Sequence, residues 1–237
     1  MNSDSPDLQA APQIVTLRTA LSDILRGAIV SGRFAPGQKL VERQLCTLTG
    51  ASRASVREAL RQLEAEGLVV LRPHRGPFVT AMTAADARQV YGVRGVLLGY
   101  AARLCAEARP APALDAIAAA TEALGRGAAA EDHRAIVRAG DAFHAAIGEG
   151  SGNVVLQQML ASMHNRLALL RNLSMALPHR VREGLAAYAA IRDAIAAGQP
   201  AEAEARCLDH NDAGAALALR ILEETEAETA RREARTG

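Results

Sequence analysis

Arg53 and Arg57 stand four residues apart, with Arg43 in the segment before them, and each carries a planar guanidinium with five N–H donors. Such a group grips a phosphate, a carboxylate or the O6 and N7 edge of guanine through two hydrogen bonds, which an ammonium cannot do. Ser52 and Ser55 flank Arg53 with hydroxyls suited to a phosphate or to capping a helix. Further on, Arg72, His74 and Arg75 crowd the stretch Arg72-Pro73-His74-Arg75-Gly76-Pro77, where Gly76 lets the main chain come close to a partner. Asp141 and His144 are the pair whose spacing would suit acid–base work, but no nucleophile or phosphate-cradling loop accompanies them, so an enzyme is not expected. Cys46, Cys105 and Cys207 form no CxxC pair and read as small core residues of a reducing compartment.

Periodicity gives the helices and strands that carry these side chains. Residues 1–13 show little of it and read as a mobile lead-in. Ile14, Leu17, Leu21, Ile24, Leu25, Ala28 and Ile29 then recur at helical spacing, until Gly32 and Pro36-Gly37 end the run. A shorter helix fits 41–49. Gly50 interrupts, and Ser52 caps a third helix carrying Val56, Ala59, Leu60 and Leu63, closed by Gly67. Leu68-Val69-Val70-Leu71 and Phe78-Val79 flank the basic, proline-limited stretch and predict a small β-hairpin. Helix, helix-turn-helix and hairpin, over 14–80, is the order of a winged helix, which would place Arg53 and Arg57 at the start of a recognition helix in a major groove.

Charge supports that division. Residues 14–80 hold ten Arg or Lys against five acids, a net of +5, whereas 81–237 hold 17 basic and 19 acidic groups, a net of −2. A polyanionic partner is expected for the first part alone. The chain is 49% hydrophobic with 3% aromatics and no Trp, a composition of small side chains suited to close helix packing. Helices are expected over 83–108, 112–126, 130–149, 153–174, 179–197 and 200–230, with Thr83 and Asp86 as an opening cap and Gly or Pro in the gaps. The fold class is therefore mainly α, an N-terminal winged helix-turn-helix followed by an antiparallel bundle over 83–230 whose sequential helices pack side by side. No apolar run reaches membrane-spanning length, so a cytoplasmic protein with no membrane partner is expected.

The runs Gly32-Arg33-Phe34-Ala35-Pro36-Gly37-Gln38-Lys39-Leu40, Ser52 through Val69 and Arg75-Gly76-Pro77-Phe78-Val79 resemble the winged-helix domain of the GntR family of bacterial transcription regulators. Ser55 departs from the family's usual proline and Cys46 from its usual alanine. The resemblance implies operator contacts by Arg43, Arg53 and Arg57, and a minor-groove wing around Arg75-Gly76. Val90 through Arg94, Asp141-Ala142-Phe143-His144 leading to Ser151-Gly152-Asn153, and Ala190 through Ile195 leading to His210 are similar to the FadR subfamily. That subfamily's C-terminal all-helical FCD domain binds an effector and dimerises.

Many members of that subfamily hold a divalent metal of the zinc or nickel type with an Asp four residues before a His and two further His. Here those positions are Gly140, His144, Tyr188 and His210. Three readings stay open. Asp141, displaced by one position, could share a metal with His144 and His210. A metal-free pocket could use Arg94 and Arg166 for a carboxylate and His144, Tyr188 and His210 for hydroxyl or carbonyl groups. The histidines could also be satisfied core residues with no ligand. The resulting expectation is a homodimeric regulator on a palindromic double-stranded operator, controlled by a small metabolite, with repression relieved by ligand the commoner arrangement. A sequence-indifferent DNA-binding structural protein is the alternative.

Overall fold

A computed structural model describes residues 12–174 and 179–236, and the fold it gives is mainly helical, as the periodicity predicts. The described chain divides into two compact units on either side of the step from Ala81 to Met82. The first contains α1 (Pro12–Val30), α2 (Glu42–Thr49), α3 (Arg53–Ala65), β1 (Val69–Arg72) and β2 (Gly76–Val79). Pro12 and Gln13, assigned from sequence to the lead-in, are the first residues of α1, consistent with the ease with which Pro begins a helix. The rest of 1–13 lies outside the described residues.

Three helices converge on one small core because their apolar positions fall on single faces: Leu21, Leu25 and Ile29 from α1, Leu45 from α2, and Val56, Ala59, Leu60 and Leu63 from α3. Leu68, Val69 and Val79 add to it from the hairpin, an antiparallel pair in the register Val69↔Val79 through Arg72↔Gly76. Ser22, buried on α1, donates its hydroxyl to Gln62 at 2.9 Å, and Arg26 pairs with Glu66 at 2.6 Å. These bonds tie α1 to the C-terminal end of α3.

The second unit contains α4 (Ala84–Ala108), α5 (Ala111–Ala129), α6 (His133–Gly150), α7 (Val154–Ser174), α8 (His179–Ala196) and α9 (Pro200–Thr236). The cap expected at Thr83 is present in both directions: Asp86 N–H donates to the Thr83 hydroxyl at 3.1 Å, and Thr83 N–H donates to the Asp86 carboxylate at 3.1 Å. Thr83's hydroxyl, donating to the same carboxylate, holds Asp86 below the usual carboxylate range. Pro178, read as a helix break, lies outside the described residues.

Side-by-side packing of sequential helices is only part of the arrangement. The most extensive contact of α4 is with α9, the last helix, rather than with α5. The reason is a row of small residues. A Cβ built on Gly95 would lie 2.8 Å from Asn211 Nδ2, and one on Gly99 would lie 3.3 Å from Glu204 Cγ and Leu208 Cγ, so only glycine admits α9 this closely. The core of this unit gathers Leu98, Cys105, Ile117, Phe143, Ile147, Ile191, Ile195 and Cys207. Burial pushes the Cys105 and Cys207 thiols up to about 11 and about 12, which fits inert core residues. Among the described residues no helix is long and apolar enough to cross a membrane.

Candidate nucleic-acid interface and ligand pocket

The first turn of α3 is fixed by Ser52, whose side chain accepts the Ser55 N–H at 3.2 Å, while the two hydroxyls lie 2.9 Å apart. Capping by Ser52 sets where the helix begins and so which residues occupy its outer first turns. Arg53 and Arg57 are both exposed there, and Arg43 is exposed on α2. Arg57 has a partner that its own helix does not supply: Nε donates to both oxygens of Glu42 on α2, at 2.9 and 3.1 Å, with the Arg57 side chain still 62% exposed. The acids of α3 and of its C-cap that could have neutralised these arginines have other partners. Glu58 pairs with Arg61, Glu66 with Arg26, and Glu64 accepts the Leu71 N–H. At the hairpin, Arg72 lies over the Phe78 ring at 4.7 Å, and Arg72, His74 and Arg75 are exposed. His74 and Gly76 take positive φ values of 59° and 87°, which makes the tip tight.

In the second unit Arg94 is buried on α4, and its Nη1 donates to Asn211 Oδ1 at 2.9 Å; Asn211 Nδ2 in turn donates to the Tyr91 carbonyl at 3.1 Å. Asn211, unremarked in the sequence, thus orients the guanidinium. A cavity of about 490 Å³, within the range of small-molecule sites, opens beside it and is lined by Arg94, Leu98, Asp141, His144, Leu160 and His164 among others. His164 Nε2 lies 3.2 Å from Asp141 Oδ1. Next to His144 the rings of Phe143, Tyr188 and His210 form a cluster, with centroids 4.8 Å apart for Phe143 and Tyr188 and 4.5 Å for Tyr188 and His210. Burial, and then the positive charge of Arg94, lowers His210 to about 4.

Of the ligand-binding set expected from sequence, Arg94 and His144 line the cavity, whereas Arg166, Tyr188 and His210 do not. The rings of Tyr188 and His210 meet each other in a tilted contact, and Arg166 has its Nε buried without a hydrogen-bond partner among the described residues. The sequence reading missed Glu42, His164 and Asn211.

Two family descriptions match the chain: "Bacterial regulatory proteins, gntR family" over residues 17–79 and "FCD domain" over residues 89–213. This protein belongs to the GntR family. An HTH-type transcriptional regulator of Bacillus subtilis, YdhC, is 28% identical over 84% of this chain and 90% of its own length. A relative from Paenarthrobacter nicotinovorans, described as a probable D-xylose utilization operon transcriptional repressor, is 27% identical over 82% of this chain and 85% of its own. Among solved structures, a putative GntR transcriptional regulator from Rhodococcus sp. RHA1 covers 86% of this chain and 98% of its own with a TM-score of 0.73 and 28% identity. E. coli McbR/YncC shares the fold, with a TM-score of 0.77 at 21% identity.

As a GntR-family protein with an FCD domain, the chain invites the question whether it can hold a divalent ion. The donor set does not fit one. The rings of His144 and His210 lie tilted to one another with centroids 5.5 Å apart, and a Cβ on Gly140 would meet the Tyr188 hydroxyl at 2.8 Å. The phenol therefore fills the space that a side chain at position 140 would need. Among the described residues no three His, Cys, Asp or Glu side chains are grouped as a metal site, so the set Asp141, His144 and His210 is not assembled.

Proposed function

We propose that this GntR-family protein is a cytoplasmic, homodimeric repressor that releases a palindromic operator when a small organic acid enters the cavity of its helical unit. The observation that carries the reading is the clamped, buried Arg94 on the wall of a cavity of about 490 Å³. A guanidinium desolvated by burial and held by Asn211 is a preorganised receptor for a carboxylate. Exposed Arg43, Arg53 and Arg57 on the helix-turn-helix, with Arg72, His74 and Arg75 on the wing, supply the contacts to DNA. The repressor sense is supported by the description of the Paenarthrobacter relative. A second copy is favoured by an exposed apolar row on α4, Val93, Val96 and Tyr100 at 49, 67 and 45% exposure, spaced to lie along one face.

Fluorescence anisotropy of the purified protein on DNA from upstream of its own gene, against scrambled DNA at physiological salt, tests the proposal. A preference of roughly a thousandfold or more for the native sequence, lowered by an organic acid, is the expected result. Equal affinity for both DNAs would instead identify a sequence-indifferent binder.

A further inference from the structure

Given the cavity as the effector site proposed above, on which the choice of ligand rests, its wall carries more information than a single cation. Arg94 is the buried charge of the lining, whereas Asp141 is partly exposed and Glu149 is exposed, so the positive group lies on the inner wall and the two carboxylates lie nearer solvent. With its histidines neutral the lining sums to one positive and two negative charges. The rest is largely apolar, with Leu98 and Leu160 on facing helices. An anion with two carboxylates could satisfy Arg94 with one and would drive the other against Asp141 or Glu149. A ligand with one carboxylate, an apolar body and a protonated amine matches every charged group on the wall.

We propose that the effector is a small amino carboxylate, bound as a zwitterion with its carboxylate on Arg94 and its ammonium facing Asp141 and Glu149. The histidine at Asp141 has a defined place in this arrangement. His164 holds the carboxylate from one side and so fixes the direction in which Asp141 meets the ammonium.

The test is isothermal titration of the full-length dimer with matched carboxylates of three to eight carbons: plain acids, their 2-hydroxy, 2-amino and ω-amino forms, and the corresponding dicarboxylates. An amino form should bind at least tenfold tighter than the plain and hydroxy acids of the same skeleton and displace operator DNA, with dicarboxylates weakest. Asp141→Asn, which preserves shape, and Glu149→Gln, on the exposed rim, should each shrink the amino preference by weakening the amino form, while the plain acid, relieved of a nearby negative charge, binds as well as before or better. Plain, hydroxy or dicarboxylic acids binding as well as the amino forms would overturn the zwitterion and leave the organic-acid reading standing. An amino preference that survives both variants would also overturn it. Failure of every compound to bind would remove the pocket as an effector site altogether.

Discussion

Arg57 shows how one side chain can be both exposed and positioned. Its Nε is tied to Glu42 through two hydrogen bonds, which limits rotation of the guanidinium while the side chain stays 62% exposed. An exposed ion pair of this kind contributes about 0–1 kcal/mol to folding, so its value is better sought in DNA discrimination. Arg57→Ala should therefore lower operator affinity by about 1–3 kcal/mol with the fold intact. Glu42→Gln should reduce the preference for operator over scrambled DNA, while scrambled DNA, relieved of a nearby negative charge, is bound as well as before or better. Circular dichroism and anisotropy on the two variants check both outcomes; a loss of folded protein in Arg57→Ala would make that arginine structural. The sequence made the arginines and the Ser52 cap visible through local spacing. It could not show the Glu42 pairing, which joins residues 15 apart across a turn, nor that of Asp141 with His164 on a neighbouring helix.

His210 offers a second test at the same scale. In the folded protein it remains neutral down to about 4, whereas in the unfolded chain it protonates near its ordinary 6.5. Below 6.5 the unfolded state binds the extra proton first, so stability is full above that pH and falls as pH drops toward 4. Between pH 7 and pH 5 the cost from this residue should be about 2 kcal/mol. Urea unfolding at the two pH values, compared between the native protein and His210→Gln, isolates it. The variant should lose about 2 kcal/mol less than the native protein over that interval, and equal losses would mean that His210 takes up its proton without hindrance in the folded state.

At the scale of elements, α6 and α8 meet where Gly140 leaves room for the Tyr188 hydroxyl. Two effects compete on replacing that glycine. Alanine is favoured in a helix interior by about 1 kcal/mol, but its Cβ would lie 2.8 Å from the phenol oxygen, and the ring is wedged by Phe143 and His210 and cannot simply swing aside. Overpacking costs about 1–3 kcal/mol, so Gly140→Ala alone should be destabilising. In a Tyr188→Phe background the clash disappears and the same substitution should become neutral or stabilising. The reversal of sign, read from thermal unfolding of the four proteins, is the expected outcome; a destabilisation unchanged by Tyr188→Phe would place the constraint in the backbone of α6. Helix boundaries and the Thr83 cap were legible in the sequence because they depend on neighbours three or four residues away. The close approach of α4 and α9 was not, since Gly95 and Gly99 read as ordinary small residues until the partner that faces them is known.

For the whole molecule, the proposal makes DNA binding in one unit and ligand binding in the other linked equilibria, and linkage is reciprocal. If the effector lowers operator affinity by a given factor, saturating operator must lower effector affinity by the same factor. Typical couplings are about 1–3 kcal/mol, or roughly 5- to 150-fold, large enough to resolve by titrating effector into free protein and into the protein–operator complex. The proposed dimer would enter the same cycle. Val96→Glu would place a charge in the middle of the apolar row on α4, and is expected to yield a folded monomer by sedimentation. That monomer should still bind effector, because the cavity is lined by one chain, but its affinity for a two-half-site operator should collapse toward that for a single half-site. A Val96→Glu protein that remains dimeric would move the interface off this face of α4. Unequal coupling factors in the two directions would show that effector and DNA do not act on a common equilibrium.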